Sequence, residues 1–388
     1  MLFGKPAGEI QQSDLQALID SAVQEGDRVD FKRDMYGRAD EDVREMLRDI
    51  TAMANHQGGD IYIGIDEDDD AVAIDLTGVE GTGHVERIVS SCRANIQPHL
   101  NGLQVTAVPL ETSRCVILIR VPLSLSGPHM VTHKGLNQFC KRHGRQKDKM
   151  SVDEIKAAFL SRFEGETRLE SFLSQRKERL AKAIGEEPWL MLTATPLFLT
   201  EQIIDPRDER FRHLLYSPPC QPGSRDSIHC GWPSPTLWGL RADQESAGVR
   251  RYLEIHRNGH LEFATNYVVD SSPSGSGNLL ASGVVVGYTG SFVRLFLALC
   301  QHAGVHTPSV FGLTVLNAKG LLLGVSAMRH SLQSREWDDA ILDLPLIYVH
   351  DVATEFGAVT KNINDRLWNA FGYEECLVLD QAGNIPGC

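Results

Sequence analysis

Residues 25–67 bring charged groups to regular spacing, in the order EGDRVDFKR, an apolar-periodic segment, and ANHQGGDIYIGIDED. In RVDFKR, Val29 and Phe31 alternate with Asp30 and Lys32. A strand there sets the carboxylate and the ammonium on one face and the apolar pair on the other. In the strand 61–65 the isoleucines face one side, while Tyr62, Gly64 and then Asp66 face the other. Carboxylates gathered on neighbouring strands suit Mg²⁺ or Mn²⁺, hard ions that prefer oxygen ligands and keep several waters. Such an ion activates a water or hydroxyl and offsets charge developing on a phosphodiester. Lys32, beside Asp30, is placed to meet the phosphate. The competing reading is that Glu25, Asp30 and Asp66 are solvated acids at element ends, and spacing alone favours it.

A second charged run supplies the opposite sign. Residues 127–150 hold Lys134, Lys141, Arg142, Arg145, Lys147 and Lys149 against one acid, Asp148. Arg142 and Arg145 offer bidentate geometry to phosphate oxygens, with Lys141 and Lys147 as further contacts. Phe139 is placed either to stack on a base or to fill a core. His129, His133 and His143 lie near this run and read as surface histidines in the absence of a sequence-visible partner.

The elements that position these groups follow from periodicity. Helix signals begin at Ser13, and again near Asp40 or Asp42, where acids suit the positive end of the helix dipole. The second helix carries Val43, Met46, Leu47, Ile50, Met53 and Ala54 and ends before Gly58-Gly59, a turn needing unusual backbone angles. A hairpin is expected at EDDDAV, a helix over 85–96 and strands at 103–108 and 115–121. Ser151 caps a helix through Phe163, and a charged helix then serves as a linker, 166–188, between an N-terminal domain, 1–165, and a C-terminal domain, 189–388. In the latter, Asn258-Gly259 marks a tight hairpin, and Phe292 to Cys300 and Val359 to Leu367 mark helices. The expected class is α/β (α+β), with a mixed sheet and flanking helices in the first domain and a second α/β domain after it.

A chain of 388 residues with 42% hydrophobic and 23% charged residues is of ordinary globular composition. No uncharged apolar run reaches about 18 residues, so no membrane span is expected, and the first residues lack a signal-peptide core. The eight cysteines are dispersed without a CxxC pair, which argues against zinc and for a reducing, cytoplasmic setting. Cys220, His229 and Cys230 lack zinc-ligand spacing, and Trp232 and Trp238 in the same loop either anchor it or face a partner. A net charge of −13 excludes coating of nucleic acid by the whole surface but leaves room for a local basic groove.

The order DFK, ITAMANHQGGDIYIGIDED, GPHMV and NQFCKRHGR…MSVDEI resembles the Schlafen-type, AlbA-like nucleic-acid-binding domain, over roughly residues 11–165. The resemblance implies nucleic acid as partner, RNA ahead of DNA. For the RNases of that family it implies a three-carboxylate site that falls on Glu25, Asp30 and Glu67, with Asp66 adjacent to the last. Asp30 stands where the family has Glu and Glu67 where it has Asp, changes that keep the carboxylates but alter reach. Strand parity favours Asp66 and the resemblance favours Glu67, so both stay candidates. The expected activity is a Mg²⁺- or Mn²⁺-dependent endoribonuclease acting on tRNA or other RNA. The alternative is a non-catalytic DNA- or RNA-binding module with a C-terminal sensor or partner-binding domain. Family RNases pair two related lobes, and residues 190–388 repeat neither DFK nor GGDIYIG, so a homodimer is the expected source of a second lobe. No GxxxxGK[ST] loop occurs, and ATP binding is not expected.

Overall fold

The computed structural model describes residues 5–80, 83–122, 124, 126–197, 203–271, 278–303, 305, 308–325, 334–349 and 352–386. The chain divides into two compact units, Met1–Glu166 and Thr167–Cys388.

The first unit has helices α1 (Gln12–Asp20), α2 (Asp40–Ala54) and α3 (His84–Asn95), and the first part of α4 (Val152–Ala183). Its strands are β1 (Val29–Lys32), β2 (Gly59–Ile63), β3 (Asp66–Glu67), β4 (Ala73–Asp75), β5 (Ile96–Gln97), β6 (Gln104–Pro109), β7 (Cys115–Val121), β8 (Met130–Val131), β9 (Gln138–His143) and β10 (Gln146–Lys149). A four-stranded mixed sheet runs β1-β2-β7-β6, parallel between β1 and β2 and antiparallel elsewhere. A second four-stranded sheet runs β10-β9-β8-β5.

Period-two alternation sorts the mixed sheet into two cores. Ile61, Ile63, Ile117 and Ile119 pack with Met46, Leu47, Ile50 and Met53 of α2 and Ile88 of α3. Phe31, Tyr62, Val116 and Leu118 pack with Leu15 and Leu18 of α1 on the other side. Asp30 and Lys32 therefore project toward the α2 side, at the sheet edge that β1 forms. The paired glycines earn their place in the backbone. Gly59 has φ of 154°, and a Cβ there would lie 2.4 Å from the Arg28 carbonyl oxygen, so only glycine admits this close pairing of β1 and β2.

The second unit has a largely antiparallel sheet in the order β12 (Ser234–Pro235), β13 (Gly239–Ser246), β14 (Val249–His256), β15 (Leu261–Thr265), β11 (Trp189–Pro196), β18 (Ser309–Leu316) and β20 (Ile341–Asp343), with β21 (Ile347–Val349) also on β18. A smaller sheet joins β16 (Val269–Ser271), β17 (Asn278–Ala281) and β19 (Leu321–Gly324). Helices α5 (Glu209–Tyr216), α6 (Ser282–Ala303) and α7 (Val352–Ala370) complete the unit. The observed class is the expected mixture of helices and sheets. Where the sequence suggests a helix followed by a separate linker helix, α4 is one continuous helix that contains the division between the units.

The expectation that no segment could span a membrane is corrected. Among the described residues, α6 is long and apolar enough by length and composition, with a mean hydropathy of 1.6 over 18 residues. Arg294 hides this from a search for uncharged runs. In the fold α6 is mostly buried, with Val285, Tyr288, Phe292 and Phe296 in the main core of the second unit.

Candidate functional site

β1 turns its acid and base toward Asp49 of α2 and Arg142 of the β9–β10 hairpin. Asp30 is only 3% exposed. Its Oδ1 accepts from Arg142 Nη2 at 2.8 Å, and its Oδ2 lies 2.6 Å from Lys32 Nζ. Burial alone would raise the Asp30 pKa, but the two cations outweigh it and hold the carboxyl below its ordinary value. Lys32 Nζ also donates to the Phe31 carbonyl at 3.2 Å and keeps about a third of its side chain exposed.

Arg142 is a correction. Expected to present its guanidinium to phosphate, it is 1% exposed. Its Nε donates to the carbonyls of Gly26 and Gly144, and its Nη2 to Val29 and Asp30. β9 faces Arg142 inward because alternation puts it on the same side as Cys140, which is buried. It is the strut that fixes the hairpin to β1. Lys147, opposite Arg142 in the hairpin, is likewise turned inward onto Asp49, at 2.5 Å, and onto Glu45. Lys141 lies on the outer face with Phe139, which packs edge-on against Phe159 at 6.2 Å. Arg145 is exposed, with Nη1 donating to the Asp70 carbonyl at 3.1 Å.

Glu25 and Glu67 complete the cluster. Glu25 Oε1 accepts the Phe31 amide at 2.6 Å, and the Glu25 and Glu67 side chains hydrogen-bond each other. Burial, and then the charge of Asp30, push Glu25 up from 4.5 to about 7. Burial also raises Glu67, against the pull of Lys32. Both carboxyls are therefore harder to ionise in the fold than in water, and Glu25 holds its proton up to about 7. Glu67 Oε2 is buried without a hydrogen-bond partner.

Asp66 sits apart from this group. Its Oδ2 lies 3.4 Å from Arg33 Nη1, and its Oδ1 accepts the Glu67 amide at 3.1 Å. A register shift between Asp66 and Glu67, as the two pair with β4, breaks simple alternation. That irregularity turns Glu67 toward Glu25 and leaves Asp66 with Arg33.

Sequence reasoning missed Asp49 and Tyr36. Asp49 is buried, accepts from Tyr36 Oη at 2.7 Å, and has a raised pKa from burial, opposed by Lys147 and reinforced by Asp30. Its signal was legible: it stands three residues after Met46 and four before Met53, on a buried ridge of α2. Asn55 is also structural, bonding the His129 and Cys140 carbonyls and accepting the His129 amide at 2.6 Å. His129, expected at the surface, is fully buried with Nδ1 2.7 Å from the Pro98 carbonyl.

Among the described residues no three His, Cys, Asp or Glu side chains form a ready ligand set for a metal ion. The donor chemistry of Glu25 and Glu67 nevertheless fits a hard divalent ion, since Mg²⁺ is commonly held by one or two carboxylates with water and phosphate completing its shell. The buried, unpartnered Glu67 Oε2 is consistent with that fit.

Residues 25–151 match the family model described as Schlafen, AlbA_2, which covers less than half of the chain. Residues 25–151 of the N-terminal unit are thus similar to a Schlafen AlbA_2 domain. The family points to nucleic-acid binding. No curated protein matches the chain. A crystal structure of the DIP2311 protein from Corynebacterium diphtheriae is 17% identical, with a TM-score of 0.26. That match covers 36% of this chain and 29% of the other, a likeness too slight to carry argument. Within the matched residues, Arg33 and Arg145 near the acids are exposed, and Lys32 is half-buried.

Proposed function

We propose that the Schlafen AlbA_2-like domain binds RNA and cleaves its backbone at the Glu25–Asp30–Glu67 cluster, as a divalent-metal-dependent endoribonuclease acting on tRNA or other RNA. The observation that supports this reading is the Glu25–Glu67 pair, both carboxyls raised by burial and Glu25 to about 7, beside the exposed end of Lys32. Glu25 and Glu67 are the residues to hold Mg²⁺ or Mn²⁺, which when bound activates a water or hydroxyl and offsets charge on the phosphate. Asp30 and the Phe31 carbonyl hold Lys32 Nζ in place as a fixed positive charge for a phosphate oxygen. Arg145 and Lys141 contact the flanking backbone, and Arg142 and Lys147 act only by holding the hairpin.

Incubation of the full chain with tRNA and Mn²⁺ tests this. Cleavage is expected to stop in EDTA and in Glu25→Gln/Glu67→Gln, and to survive in Asp66→Asn. Undiminished cleavage by the double variant would overturn the assignment. A second reading, a non-catalytic nucleic-acid-binding module, is favoured by one observation: both Asp30 oxygens already face cations. It predicts salt-dependent RNA binding that persists in EDTA with no cleavage by the unaltered protein. We further propose that two copies pair to form a clamp; a monomer by light scattering at micromolar concentration would remove that element.

A further inference from the structure

The second unit holds a cleft of about 580 Å³ whose walls include Ile203, Asp205, Arg207, Arg212, Pro235 and Arg257. Three arginines face one acid on the walls, a local positive bias in an acidic chain. Arg207 is held by Asp205 through a bidentate contact, with Nη2 to Oδ2 at 2.8 Å. Arg212 donates to the Pro206 carbonyl and to Glu209, each at 3.2 Å. Arg257 has no hydrogen bond or ion pair to its guanidinium among the described residues, although its backbone is fixed by Ile203, Ile204 and Trp238. A guanidinium fixed at its root, with no hydrogen bond at its tip and only the longer-range pull of Asp205, is suited to an anionic oxygen.

Beside the cleft lies an aromatic group. Trp232 is 50% exposed and Tyr216 44% exposed, with their rings 5.2 Å apart. His213 meets Trp232 at 5.5 Å and His229 meets Tyr216 at 5.5 Å. The two features are joined in the chain. Arg212 and Tyr216 stand four residues apart on one face of α5, and Pro235 follows Trp232 by three residues, a span of at most about 11 Å. A cationic cleft next to exposed rings matches a phosphate with a planar base attached.

We infer that this cleft binds a nucleoside monophosphate unit, with the phosphate on Arg257 and Arg212 and the base on Trp232 and Tyr216. The unit is either a free nucleotide or the 5′-phosphorylated end of single-stranded RNA. The site lies wholly in the second unit and does not depend on the acid cluster of the first. Its ligand preference is therefore independent of the RNA-cleavage reading.

Calorimetric titration of the full chain at low salt, with AMP, inorganic phosphate and 5′-phosphorylated hexauridylate, tests the assignment. AMP binding is expected to be saturable at one site per chain. Arg257→Ala should weaken AMP and phosphate alike by about tenfold or more. Trp232→Ala should weaken AMP by about tenfold and leave phosphate unchanged, because only the base stacks there. Both side chains stand partly exposed and outside the core, so both variants are expected to fold. Glu25→Gln should bind AMP as the unaltered chain does. Tighter binding of the hexamer than of AMP, lost in Arg257→Ala, assigns an RNA end as the occupant, and hexamer binding at the Arg257 site that is equal to or weaker than that of AMP assigns the free nucleotide. Failure of AMP and hexamer to bind, or equal AMP affinity in Arg257→Ala, overturns the inference.

Discussion

Replacing Glu25 by glutamine should stabilise the first unit at alkaline pH and have almost no effect under acid conditions. Glu25 has its folded pKa raised from 4.5 to about 7, first by burial and then by Asp30. Below 4.5 it is protonated in both folded and unfolded chains, and its contribution to stability is fully present. As pH rises through about 7, the folded chain must carry a charge that the unfolded chain carries more easily, and that stability is lost. Moving a carboxyl from 4.5 to about 7 corresponds to roughly 3.5 kcal/mol at about 1.4 kcal/mol per tenfold. Glu25 is partly exposed, so solvent screening reduces this to about 1.5–2 kcal/mol. Glutamine keeps Oε1 for the Phe31 amide and offers an N–H to Glu67, imitating the protonated acid. All five tryptophans lie in the second unit, so tryptophan fluorescence would miss the event. Deuterium uptake by peptides from β2 and β7 across a urea series reports the first unit directly. With a slope of about 2 kcal/mol per molar, the midpoint should rise by about 1 M at pH about 8 and stay unchanged at pH about 3.5. Equal shifts at both pH values, or destabilisation at the higher one, would refute the electrostatic reasoning.

Other consequences concern the buried ion pairs and the surface. Asp30→Ala leaves Arg142 buried without its carboxylate and should cost about 3–5 kcal/mol, read in the same urea series. In the second unit, Arg176→Ala strands Glu254 and Glu262, which its guanidinium contacts at 2.7 and 2.8 Å. A loss of about 3–5 kcal/mol is expected by tryptophan-monitored unfolding. Arg145→Ala should lower the slope of RNA affinity against salt by about one, with the fold intact. Mn²⁺ affinity should climb between pH about 6 and about 8, because the proton that burial holds on Glu25 up to about 7 must leave first; calorimetry at the two pH values measures it.

The strand alternation of Val29-Asp30-Phe31-Lys32, the apolar stripe of α2 and the glycine pair were legible because each is a local regularity. The fate of the polar face was not. Alternation says that Asp30 and Lys32 share a side, yet not that Arg142, 112 residues away, would seal it. The same long-range pairing turned an expected phosphate ligand into a buried strut. The choice between Asp66 and Glu67 was lost to a register shift, which no periodicity rule anticipates. Asp49 could have been found as an acid on an apolar ridge, because a charge there demands a partner. In the second unit the hairpin at Asn258-Gly259 was visible, since Gly259 has φ of 83°, but the arginine cleft draws on three separate segments and left no local pattern.

The central claim, that the Glu25–Glu67 pair serves RNA cleavage, is tested most directly by the pH profile of single-turnover tRNA cleavage with Mg²⁺ from pH about 5 to about 9. The rate should rise through an apparent pKa of about 7 and become undetectable in Glu25→Gln/Glu67→Gln. A profile flat across neutrality, or one that the double variant reproduces, would contradict it.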